Sequence, residues 1–380
     1  HARMEIYMKV VAAIDSFKGS MTSMEAGNAV KKGILAAKPD AEVWLSPLAD
    51  GGEGTVDALI EGLGAEKIPV TVAGPLGEKV SCYYGFLEET KTAVMEMASA
   101  AGITLVIKKD PLRASTYGVG EMIADALKRG CKNFMIGIGG SATNDGGIGM
   151  LKALGFEFFD EDGNDVGEGA AALAKIAEIR TEKKNPLLSG AKFQIACDVK
   201  NPLCGKQGAT YIFGPQKGVT EEQKEQVDEA MRHYADVTKE SLDCDFADCE
   251  GAGAAGGLGY AFLSYLAGEL IPGVELILQA TGLEEKMKNA DVVVTGEGRL
   301  DAQTVMGKAP AGVAALAKKY NAKVIAFAGS VAPEAKVCNR AGIDAFFPIV
   351  RGVTTLEEAM KKENAMENIA ATAEQVFRLL

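Results

Sequence analysis

Short runs of β-branched and other apolar residues recur along this chain. Each is followed by a stretch whose apolar positions return every three or four residues. Lys9-Val-Val-Ala-Ala-Ile-Asp15 reads as a buried strand, bounded by the polar Ser16-Phe-Lys-Gly-Ser20. Thr22, with Glu25 three residues on, then opens a helix that closes at Lys38-Pro39. Glu42 to Ala49 predicts a second strand whose Pro47 belongs at an edge or a loop, because proline cannot donate to a ladder. A helix from Thr55 to about Leu63 follows Asp50-Gly-Gly-Glu-Gly54. The last third repeats the alternation. Strands are expected at 291–295, 323–328 and 345–350, and a helix at about 309–320. Pro333 takes a first-turn position, and Thr355 with Glu358 caps the last amphipathic segment.

The middle of the chain has a different rhythm. Residues 68–90 and 156–166 are strand-like and rich in turns, with Asp162-Gly163 suggesting a hairpin. A helix at about 117–128 and a strand at 133–138 lie between them. Strands alternating with helices imply parallel βαβ units. The expected fold class is therefore α/β with two domains. A doubly wound, Rossmann- or flavodoxin-like domain is formed by both chain ends (8–75 plus 275–380). A second α/β domain (76–274) is inserted into it, and the active site is expected in the cleft between them.

Composition narrows the chemistry. The net charge of −12 argues against a nucleic-acid partner, which needs clustered Lys and Arg. Seven cysteines without a C-x-x-C pair suit a reducing cytoplasm better than a disulfide framework. No apolar run is long enough to span a bilayer, and no charged-then-apolar leader is present. His1-Ala2-Arg3 has the look of an appended scar, with Met4 or Met8 as the expected start. Apart from His1, the only histidine is His233, which falls off the Val227, Met231, Tyr234 stripe of its helix and reads as a surface residue. The helix opens with Thr220 and Gln223. Acid–base chemistry thus falls to carboxylates or lysines.

Four segments share one design: a strand end, glycines, a carboxylate or hydroxyl, and a helix start. They are Asp15-Ser-Phe-Lys-Gly-Ser20, Asp50-Gly-Gly-Glu-Gly-Thr55, Gly139-Gly-Ser-Ala-Thr-Asn-Asp-Gly-Gly147 and Gly296-Glu-Gly-Arg-Leu-Asp301. Glycines let backbone N–H groups approach a phosphate, and the helix terminus behind them favours negative charge. Asp15, Ser16, Gly19, Ser20, Gly51, Gly52, Gly139, Gly140, Ser141, Thr143, Gly296 and Gly298 are accordingly the candidate substrate- or phosphate-binding residues. Asp50, Glu53, Asp145, Glu297 and Asp301 are the candidate Mg²⁺ ligands, since that ion takes one or two carboxylates plus phosphate oxygens. Lys18 and Arg299 are candidates to neutralise charge during transfer. Asp198, after the short apolar run Ile195-Ala-Cys, either accepts a substrate proton or holds the Asn201-Pro202 turn. Each such loop alone is more often a plain connection; four with acids and cations, without histidine chemistry, point to phosphoryl transfer. No G-x-x-x-x-G-K-[ST] loop occurs; Gly205-Lys206 and Gly307-Lys308 lack the upstream glycine.

Read together, these segments resemble the bacterial glycerate kinases of the first type, from about Met8 to the final helix. Met97-Ala-Ser-Ala-Ala-Gly, Cys197-Asp-Val-Lys-Asn-Pro-Leu, Phe213-Gly-Pro-Gln-Lys-Gly and Gly253-Ala-Ala-Gly-Gly-Leu-Gly-Tyr carry the resemblance alongside the four loops. It implies ATP-dependent phosphorylation of D-glycerate with Mg²⁺, giving 2-phosphoglycerate, with small molecules as the partners. The chain pattern specifies no oligomeric state. Two other readings are open. A hydride-transferring NAD enzyme is suggested by Gly251-Ala-Gly-Ala-Ala-Gly256 and Gly137-Ile-Gly-Gly-Ser-Ala142; a non-catalytic receptor for a small acid is suggested by the two-domain plan.

Overall fold

The computed structural model describes residues 7–52 and 54–380, so His1-Ala2-Arg3, Met4 and Glu53 lie outside the described residues. Thirteen strands are assigned among them: β1 (Lys9–Ile14), β2 (Glu42–Pro47), β3 (Glu66–Ala73), β4 (Lys79–Leu87), β5 (Thr92–Glu96), β6 (Asn133–Gly137), β7 (Glu157–Phe159), β8 (Glu178–Arg180), β9 (Lys192–Ala196), β10 (Glu269–Ile271), β11 (Val292–Leu300), β12 (Lys323–Val331) and β13 (Ala345–Pro348). The chain forms two compact units. One gathers the chain up to Asp50, Asp57–Gly64 and Val274–Leu380; the other takes Gly51–Val56 and Ala65–Gly273.

The first unit is built on a parallel sheet in the order β13-β12-β11-β1-β2. Its strands are apolar on both faces. Val10, Ala12 and Ile14 of β1 face the core shared with helices Ser23–Ala37 and Lys362–Phe377, while Val11 and Ala13 face helix Ala309–Lys318. Two covered faces require continuous apolar strands, and that is the pattern the sequence shows. Thr22 and Glu25 form the full capping box, and β2, with Pro47, is an edge strand. The chain leaves β1 toward β2 on one side and returns as β11 on the other. The strand order therefore reverses between β1 and β11, the place where open α/β sheets bind ligands.

The second unit has a mixed sheet in the order β10-β9-β6-β5-β4-β3. Its last two strands are antiparallel and the rest parallel. Phe134 and Phe193 stack with ring centroids 4.7 Å apart in its core, beside Ile136, Ile195 and Phe262. The turn at Asp160–Gly163 returns the chain to a bridge between Phe159 and Asp165, so the hairpin expected there forms.

Two expectations are corrected. The boundary expected at 75/76 falls at 64/65, because β3 pairs with β4 at eight positions and so belongs to the second sheet. The segment after Thr295, expected as a glycine loop, is strand: β11 runs on through Gly296-Glu-Gly-Arg299 paired with β12 as far as Leu300–Val331. Glycine at 296 lets the two backbones approach, since a Cβ there would stand 2.1 Å from the Phe327 carbonyl oxygen. Gly296→Ala is expected to force β11 and β12 apart and to destabilise the protein by about 1–3 kcal/mol, the scale of overpacking. Thermal denaturation checks this, and an unchanged Tm would show that the strands yield freely.

Candidate active site

At the C-terminal edge of the first unit's sheet, backbone pairing fixes where each carboxylate emerges. The Asp15 N–H, just past β1, donates to the Gly296 carbonyl at 2.9 Å, and the Ser16 N–H donates to Asp15 Oδ1 at 2.7 Å. Phe17 and Met21 pair across the next turn, in which Gly19 adopts φ +77°. Asp50 follows β2. Glu297 sits on β11, 8% exposed, and accepts from the fully buried Thr304 hydroxyl at 2.7 Å. Asp301, beyond the end of β11, accepts the Gln303 N–H at 2.9 Å.

Cations surround these acids. Lys308 Nζ stands 3.9 Å from Glu297 Oε2 and 4.0 Å from Asp301 Oδ1, and Arg299 Nε is 3.6 Å from Asp301 Oδ2. Lys18 and Arg299 are exposed. Together they line a cavity of about 570 Å³ that Ile349, Val350, Leu356, Ala359 and Met360 also line.

The acids interact strongly. Burial, reinforced by the charges of Asp50 and Glu297, pushes Asp15 up to about 7 against the pull of the Ser16 N–H and Lys18. Burial also raises Glu297, with Asp301 and Asp50 adding to it and the Thr304 hydroxyl and Lys308 opposing. Such a cluster, at the strand-order reversal, suits an incoming cation and an anionic ligand held together.

Of the residues singled out from sequence, Asp15, Ser16, Lys18, Ser20, Asp50, Glu297, Gly298, Arg299 and Asp301 line this cavity. Lys308 and Ser330 join them without having been expected there. Lys308 was visible only as part of an incomplete phosphate-loop match.

Gly19 and Gly296 also belong to the first unit; the other described candidates belong to the second, where several are enclosed by the fold. Asp145, expected as a metal ligand, is fully buried. It accepts the Thr116 N–H and hydroxyl and the Gly147 N–H, each at 2.9 Å, and the Gly149 N–H at 3.2 Å. A carboxylate enclosed by four donors has no open face for a metal. Thr143, expected at a phosphate, is also fully buried, and its carbonyl accepts from the buried ammonium of Lys217 at 2.7 Å. Gly139 and Gly140 are exposed, whereas Ser141 is buried. Gly51 and Gly52 also lie in this unit. Asp198 accepts the Gly273 N–H at 2.9 Å. His233 is exposed, with Nε2 2.7 Å from the Ile176 carbonyl oxygen. Among the described residues no group of three or more His, Cys, Asp or Glu could by itself hold a metal ion, and no helix is long and apolar enough to cross a membrane.

Comparison with known proteins decides the family. The Glycerate kinase family profile matches residues 10–380. The chain belongs to the glycerate kinase family. It is 46% identical to the glycerate kinase of Halalkalibacterium halodurans over 96% of this chain and 98% of the relative. It is 45% identical to the glycerate 2-kinase of Escherichia coli K12, over 96% and 98%. The crystal structure of a Salmonella typhimurium LT2 protein, provisionally called glycerate kinase 2, superposes with a TM-score of 0.90. That match has 43% identity and covers 98% of this chain and 97% of that one. For this glycerate kinase family member the NAD reading lapses. Gly251–Gly256 instead serves close packing, since a Cβ on Gly253 would meet the Pro202 carbonyl oxygen at 2.2 Å.

Proposed function

We propose that the carboxylate-lined cavity of the first unit is the phosphoryl-transfer site of this kinase, in which ATP phosphorylates D-glycerate to 2-phosphoglycerate. The observation that carries this reading is the convergence of four acids and three cations at the strand-order reversal: Asp15, Asp50, Glu297 and Asp301 with Lys18, Arg299 and Lys308. Asp15 is the group we assign to accept the glycerate hydroxyl proton. It stands just past the end of β1 on the cavity wall, beside the other acids and Lys18, where its carboxylate can accept a proton. Asp198, the other candidate, already holds the Gly273 N–H.

The donor set around Asp15 is all oxygen, and no three-ligand cage stands complete among the described residues. That suits Mg²⁺, which keeps waters and shares phosphate oxygens rather than occupying an all-protein cage. Asp50 and Glu297 would hold it, and when bound it would neutralise charge on the transferring phosphoryl group. Lys18, Arg299 and Lys308 contribute to the same end from the rim. With little covalent work for the protein to do, positioning and charge compensation make up most of phosphoryl-transfer catalysis. The seven free thiols support a cytoplasmic setting.

A coupled ADP-release assay with D-glycerate, combined with NMR of the product, tests this reading. ADP release is expected to depend on Mg²⁺ and to stop in excess EDTA while the Tm stays within about 1 °C, because a shared site adds little to folding. The product is expected to carry its phosphate on C2. Full turnover in EDTA would remove the metal from the site, and a chelator-induced unfolding would make it structural instead.

A further inference from the structure

The acids of the cavity come from the ends of β1, β2 and β11. The segment after β13 lines it mainly with apolar side chains, partly open: Leu356 is 76% exposed, Met360 38% and Val350 36%, with Ile349, Ala359 and the two threonines Thr354 and Thr355 beside them. Exposed apolar side chains gathered on one cavity wall mark a surface that a ligand covers. Three placements say which ligand. Ile349 and Val350 follow β13, two strands away from the β1–β11 reversal where the acids stand. Met360 reaches back over the loop after β1, since a Cβ on Gly19 would lie 3.1 Å from its Cε. Helix Leu356–Met360 is held in place by the Thr355 cap on Glu358 and by the Lys362–Glu25 ion pair just beyond its end.

We infer that this wall is the binding shelf for the purine base of the nucleotide, with the triphosphate running along the sheet edge to the acids and cations at β1 and β11. Glycerate is a three-carbon polar acid with no flat apolar face to cover these side chains. A purine has two such faces, and a nucleotide extended across the strand ends matches a cavity of about 570 Å³. The inference rests on the active-site reading above and adds the direction in which the nucleotide lies.

The test uses the full chain with Leu356→Asp and, separately, Met360→Ala, both at exposed positions where folding is little affected. Calorimetry with ADP and Mg²⁺ is expected to show binding weakened tens-fold for Leu356→Asp and severalfold for Met360→Ala. Mg²⁺ with inorganic tripolyphosphate, which has no base, is expected to bind both variants within twofold of wild type, and the glycerate KM is expected to move less than twofold. Unchanged ADP binding would overturn the inference, and so would a shift confined to the glycerate KM, which would place glycerate on the shelf. Failure of tripolyphosphate to bind the wild type would instead overturn the active-site reading on which the inference rests, and the inference with it.

Discussion

Asp15→Asn is expected to lower kcat by roughly a hundredfold or more, the usual scale for loss of a general base, while the KM values for ATP and glycerate change much less. The substitution keeps the side chain's size and an oxygen for the Ser16 N–H, so the β1 end should hold its shape. Stability supplies an independent check with a definite sign. Burial and the Asp50 and Glu297 charges raise the folded-state carboxyl to about 7 from an ordinary value of 3.8. A carboxylate with a raised pKa penalises folding when ionised. The penalty is absent below the unfolded value, grows between about 4 and 7, and is complete above 7. In metal-free buffer, Asp15→Asn is therefore expected to melt higher than wild type at pH 8, with the gain shrinking toward pH 4. A folded variant with near-normal kcat would move the proton-accepting role to Asp198. A variant that melts lower at pH 8 would show that Asp15 stabilises the fold, and the assignment of a strained functional acid would be wrong.

Asp145→Ala is expected to cost about 3 kcal/mol or more, lowering the Tm by roughly 6–12 °C for a unit of this size. The carboxylate is enclosed and satisfies the Thr116 N–H and hydroxyl together with the Gly147 and Gly149 amides. Its removal leaves these donors unpaired in a dry interior, where each costs about 1–3 kcal/mol, with partial relief by relaxation. Thr116 passes the effect on, because its hydroxyl also accepts the Met150 N–H at the start of the next helix. If Asp145 were a metal ligand, the variant would instead keep its Tm and lose turnover. Melting curves and kinetics measured side by side separate the two outcomes.

The contrast between Asp15 and Asp145 shows what the sequence could and could not reveal. Both stand in glycine-rich segments after a strand, and both looked equally suited to phosphate or metal chemistry. The tertiary structure leaves Asp15 on a cavity wall with like charges about it and encloses Asp145 among donors. Burial depends on what other segments cover, and no local pattern encodes that. For the same reason Lys308, seen only within an incomplete phosphate-loop match, and the apolar shelf were not assigned to the site. Lys308 meets Glu297 and Asp301 only after the chain turns between β11 and the next helix, and Leu356 and Met360 read as ordinary members of an amphipathic stripe.

The sequence by itself determined the alternation of strands and helices, the two-ended construction of the first unit, the capping at Thr22 and Thr355, and the family. These rest on local periodicity, cap chemistry and motif order, all of which are properties of neighbouring residues. Only the tertiary structure decided that Gly296–Leu300 is strand and that the first sheet reverses its order between β1 and β11. It also decided which acids stand on the cavity wall and which are enclosed among donors. Those outcomes depend on pairing between β11 and β12 and on burial by distant segments, interactions whose partners lie far along the chain and whose energies appear only when the sheet is assembled.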